Sequence, residues 1–63
     1  MFLGLTKLYR GPELLGDISE IKKDDDGKTW IFKMWDGGKV YRSDKVTMLD
    51  IILGAGERIT ISD

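Results

Sequence analysis

The chain has 63 residues, with ten Lys and Arg against eleven Asp and Glu, a formal net charge of −1, and neither Cys nor His. Lacking both residue types, it can form no disulfide or cysteine-ligated cluster and no imidazole or thiol catalytic site. Its near-neutral balance gives no net field to draw it onto nucleic acid or an anionic membrane.

A length of 63 residues predicts one domain spanning 1–63 with a thin core, because a chain this short buries only about 60% of its unfolded surface. Hydrophobic residues at 41% and charged residues at 33% belong to a globular chain rather than a disordered one. No apolar run approaches the roughly 20 residues of a spanning helix. Met1 to Leu5 lack the basic start and long apolar stretch of a signal peptide. These features predict a cytoplasmic protein with no membrane partner.

Residues 2–9 read as a first strand, and Arg10-Gly11-Pro12-Glu13 carries turn chemistry. Residues 14–23 read as a second strand, with a short helix over residues 16–21 as the alternative. Asp26-Gly27 marks a hairpin. Residues 28–36 are rich in β-branched and aromatic side chains and form the most strand-like segment. Gly37-Gly38 is a second tight turn, and residues 39–43 return as a fourth strand. From Asp44 to Leu53 the spacing turns helical, with Val46, Leu49 and Leu53 on one face and Met48, Ile51 and Ile52 beside them. Ser43 or Asp44 can cap this helix and Gly54 can end it. Residues 57–62 alternate into a short last strand or extended tail.

If both tight turns are two-residue loops, the pairing is fixed. Lys23 then faces Trp30, Ile21 faces Phe32 and Glu20 faces Lys33. Across the second turn Trp35 faces Val40, Met34 faces Tyr41 and Lys33 faces Arg42. Alternation then gives the meander two faces. One carries Ser19, Ile21, Lys23, Trp30, Phe32, Met34 and Tyr41. The other carries Ile18, Glu20, Lys22, Ile31, Lys33, Trp35, Val40 and Arg42, with Glu20, Lys33 and Arg42 in one row and Ile18, Trp35 and Val40 in the next. The predicted fold is therefore mainly β: an SH3-like or partly open barrel of four or five antiparallel strands with one short helix in the C-terminal half.

No nucleophile–base pair or cofactor motif is present, so the chain reads as a non-enzyme without cofactor or metal. An EF-hand alignment on Asp24-Asp25-Asp26-Gly27 would place Lys22 and Lys33 where acidic ligands belong, and fails. Gly54-Ala55-Gly56 does not follow a strand and open a helix, as a phosphate loop does. Trp30, Phe32 and Met34 read as core. Trp35 stands beside a glycine turn on the more charged face, a place that fits burial as well as exposure; exposed, its amphipathic ring would serve an interface. The candidate partner-binding residues are Ile31, Lys33, Trp35 and Arg42. A protein partner fits them better than a nucleic acid, which would want more unpaired bases. The wide apolar helix face is additionally open to two readings, a homodimer that covers it or a curled sheet that wraps the helix fully.

Two resemblances accompany these readings. Leu5-Thr6-Lys7-Leu8, Gly11, Leu14-Leu15, Ile18, Ile21 and the segment from Gly27 to Gly38 resemble small FlbD-type flagellar proteins and related phage sequences. That similarity implies a β-meander with a terminal helix, in a phage- or bacterium-encoded regulator or inhibitor. Asp17-Ile18-Ser19-Glu20-Ile21-Lys22-Lys23 with Gly27-Lys28 and Gly37-Gly38 is similar to archaeal Sul7d-type chromatin proteins. This second resemblance implies an SH3-like barrel that binds DNA through its sheet.

Overall fold

The computed structural model describes residues 6–62 and is mainly β. Strands β1 (Lys7–Arg10), β2 (Glu13–Lys23), β3 (Trp30–Met34) and β4 (Val40–Ser43) precede one helix, α1 (Met48–Gly54), and a last strand, β5 (Arg58–Ile61). The sheet order is β4-β3-β2-β1-β5. Residues 2–5 of the expected first strand lie outside the described residues. The helix alternative at residues 16–21 gives way to strand.

β2 organises the molecule. Its eleven residues would span roughly 36 Å if straight, yet the described residues extend only 25 Å along their longest principal axis. The strand must bend, and it does so at two bulges. Leu8 pairs Gly16 while Tyr9 pairs Leu14, leaving Leu15 unmatched. Ile18 pairs Met34 while Glu20 pairs Lys33, leaving Ser19 unmatched. Gly16 adopts φ 139°, a conformation that side-chain-bearing residues rarely take. The Ser19 hydroxyl donates to the Lys33 carbonyl at 3.1 Å, which secures the second bulge. The N-terminal half of β2 thus pairs β1, and the C-terminal half pairs β3.

The bend curls the sheet around one core of Leu8, Ile18, Ile21, Trp30, Phe32, Met34, Val46, Ile51, Ile59 and Ile61. It also carries the Arg10 guanidinium to 5.5 Å from the Tyr41 ring, so β1 approaches β4 across the curl. The sheet nonetheless stays open, because edge strands β4 and β5 are not hydrogen-bonded to each other. An SH3-like closed barrel is therefore not formed. The all-antiparallel expectation also needs correcting, since β5 runs parallel to β1, with Ile59 opposite Leu8. The chain crosses the open side through α1 before β5 is laid down, and that crossover reverses its direction relative to a hairpin.

The β2–β3 pairing is the one expected from the Asp26-Gly27 turn, with Glu20 opposite Lys33, Ile21 opposite Phe32 and Lys23 opposite Trp30. The β3–β4 pairing is shifted by two residues. Lys33 faces Val40 and Ile31 faces Arg42, because the turn spans Trp35 to Gly38 and closes through Met34 N–H to Lys39 O at 2.9 Å. A shift of two keeps each side chain on its face but moves its neighbour. The expected row of Glu20, Lys33 and Arg42 therefore ends in Val40 instead. The row of Ile18, Trp35 and Val40 dissolves as well, because the Ser19 bulge turns Ile18 inward, where it is fully buried.

Helix α1 begins four residues later than Asp44. Thr47 is the cap: its Oγ1 accepts from the Asp50 N–H at 3.1 Å, and Asp50 Oδ2 accepts from the Thr47 N–H at 3.0 Å. Val46 before the cap and Ile51 in the helix are both buried in the core, the positions of a hydrophobic staple. Ser43 is buried and its Oγ accepts from the Lys45 N–H at 3.1 Å, serving a turn rather than the helix.

Candidate functional site

The four sequence-selected residues fall on or beside the outer face of the β2–β3–β4 meander but do not act alike. Ile31, at 7% exposure, is buried. It stands between Lys22 and Arg42 on the neighbouring strands. Ile31 is therefore support for this face rather than contact surface. Lys33 is exposed and reaches Glu20 at 3.6 Å. Arg42 is exposed and pairs with Asp24 at 3.2 Å, not with the Glu20 row. Trp35, the first residue of the turn, is 60% exposed, and Val40, the first residue of β4, is 48% exposed. Both are large apolar side chains left exposed at the turn end of the hairpin, with Lys33 directly opposite Val40.

Several bases of the surface are matched by acids. Besides the Lys33 and Arg42 pairs, Lys7 bonds Asp17 at 2.9 Å. The Asp17 carboxylate, first by its hydrogen bond and then by its charge, raises the Lys7 ammonium above its ordinary value. Arg58 lies 4.8 Å over the Tyr9 ring and Lys23 lies 4.7 Å over the Trp30 ring. The acidic tip is engaged in its own turn. Asp24 accepts from the Asp25 N–H at 2.8 Å, and Asp26 accepts from the Lys28 and Thr29 N–H groups at 2.9 and 2.8 Å and from the Thr29 hydroxyl. Those bonds hold the Asp26 carboxyl down at about 2. These carboxylates are committed to fixing the hairpin. Among the described residues, no group of three or more acids is placed to hold a metal ion.

Sequence reasoning passed over one feature. At the other end of β3, Trp30 and Ile21 meet Met48 and Ile51 of α1 around an open cleft beside Lys22. The signal was available in part: the Thr47-Met48-Leu49-Asp50 capping box fixes where α1 starts, and hence which of its apolar residues turn outward.

No family model matches the chain, and comparison with curated proteins and with solved structures returns no match.

Proposed function

We propose that this chain is a non-enzymatic interaction module that binds a protein partner through the outer face of the β3–β4 hairpin, with Trp35 as its anchor. The observation that carries this reading is the position of Trp35: 60% exposed, on a backbone tied into the sheet. Lys33 and Arg42 supply a polar rim, and buried Ile31 stiffens the surface beneath. Large rings on a fixed backbone bind at low entropic cost, and Trp and Arg dominate interface energies. A phage- or bacterium-encoded regulator or inhibitor of another protein is the role such a module would serve.

Nucleic-acid binding through the same face is the second reading, supported by aromatic rings interleaved with bases. The ion pairs of Lys7, Lys33 and Arg42 favour the protein reading, because each would have to be broken to free a base for phosphate. The two readings separate by salt. Binding of the purified domain to labelled duplex and single-stranded DNA, and to the protein it captures from the organism that encodes it, is measured at low and physiological ionic strength. The proposal expects capture that persists at physiological salt and DNA binding that does not. Tight DNA binding that falls steeply with salt would replace it.

A further inference from the structure

The cleft at the Trp30 end of β3 encloses about 260 Å³ and is lined by Ile21, Lys22, Trp30, Met48 and Ile51. Ile21, Trp30 and Ile51 belong to the core, so its floor is apolar and held in place. Among the described residues its lining includes a lysine and no acid, and a second lysine, Lys23, is parked over the Trp30 ring at 4.7 Å. Next to it, α1 turns four large apolar side chains outward: Met48, Leu49, Ile52 and Leu53 are half to about seven-tenths exposed. Met48 belongs to both the cleft and this stripe. Asp50, the acid of α1, is turned back onto the Thr47 N–H.

We propose that the cleft and the outer stripe of α1 dock an acidic amphipathic segment of a partner protein, one bulky apolar side chain filling the cleft and carboxylates meeting Lys22 and Lys23. This surface is distinct from the Trp35 spot, since Trp30 and Trp35 are separated by roughly 16 Å of extended chain.

Size points to a side chain rather than a free metabolite. An apolar cavity of about 150 Å³ accepts benzene, whereas whole small-molecule ligands occupy roughly 300–1,000 Å³. Area argues against a second copy of this chain as the occupant. The seven residues of α1 rise only about 10 Å, and a stable dimer needs roughly 800 Å² from each copy. Stripe-to-stripe packing falls short of that and leaves the cleft empty. A docked segment uses both, and flexible Met48 suits a groove that adapts to its guest. Charge complementarity supplies the sign: two lysines at the cleft call for carboxylates on the guest.

The test uses the full chain carrying Trp35→Phe, so that Trp30 is its one indole. It is titrated with a synthetic helical peptide bearing a central Phe, flanking Leu residues and several Glu. Two further peptides replace the Phe by Ala or every Glu by Lys. The proposal expects a saturable change in Trp30 emission with the acidic peptide, and affinities at least about tenfold weaker for the other two. Lys22→Glu combined with Lys23→Glu, checked for folding by circular dichroism, should weaken the acidic peptide by about tenfold. Absence of a saturable change, equal binding of acidic and basic peptides, or full affinity in the folded charge-reversed variant would overturn it. So would sedimentation showing that the free protein is already a dimer with α1 at its interface.

Discussion

Trp35 donates its main-chain N–H to the carbonyl oxygen of Asp17 at 3.1 Å, one residue beyond the end of β3. The sheet ladder thus continues under the ring, and the backbone that carries the indole is fixed by β2 rather than by the turn alone. Because that bond is main-chain, removing the side chain spares it. Trp35→Ala is expected to lower stability by about 1 kcal/mol or less in urea denaturation, as exposed substitutions do. Phe32→Ala, at a fully buried position, should cost about 3–5 kcal/mol and leave little of so small a domain folded. Comparable losses for the two would show that Trp35 is structural.

Gly54 closes α1 against β5. A Cβ there would stand 2.9 Å from Ile59 Cγ1, and Ile59 is fully packed. Ala would gain up to about 1 kcal/mol in helix propensity and lose roughly 1–3 kcal/mol to overpacking. Gly54→Ala should therefore destabilise, seen as a lower denaturation midpoint with an unchanged slope. A more stable variant would mean that Ile59 moves aside freely.

Thr47→Ala removes half of the Thr47–Asp50 capping box. A loss of about 1 kcal/mol is expected, together with faster amide exchange at Asp50, whose N–H loses its acceptor. Asp44→Ala, at the position first expected near the cap, should change stability by less than about 0.5 kcal/mol. The reverse ranking would place the helix start near Asp44 after all.

The Asp26 carboxyl is lowered from its ordinary 3.8 to about 2, first by the Thr29 hydroxyl and then by the Lys28 and Thr29 N–H groups. Its folded value lies below its unfolded one. The stability it contributes is therefore present above about pH 4 and is lost as pH falls through 2. Carboxyl carbon NMR should give an Asp26 midpoint near 2, rising in Thr29→Val. A midpoint near 4 in the folded wild type would show that the turn bonds do not form in solution.

Much of this was readable from residue order. The Asp26-Gly27 turn fixed the β2–β3 pairing, and the alternation of Trp30, Phe32 and Met34 marked the inner face. What escaped was governed by backbone events that side-chain pattern does not encode. Ser19 carries no bulge signature of its own, yet its extra residue sends Ile18 into the core. Four turn residues from Trp35 to Gly38, rather than two, set Arg42 beside Ile31. The parallel pairing of β5 with β1 depends on a crossover through α1, a long-range choice that local alternation at Ile59 and Ile61 cannot reveal. At the candidate site, alternation placed Lys33 and Trp35 on the outer face but left open whether Trp35 is exposed, and the burial of Ile31 depends on which neighbours flank it.

The most direct test of the interface assignment is the affinity of the captured partner for wild type and for folded Trp35→Ala, measured calorimetrically at low and physiological salt. An anchor worth ~2 kcal/mol predicts a loss of about thirtyfold that changes little with salt. Unchanged affinity in the folded variant would contradict the account and move the interface away from the β3–β4 hairpin.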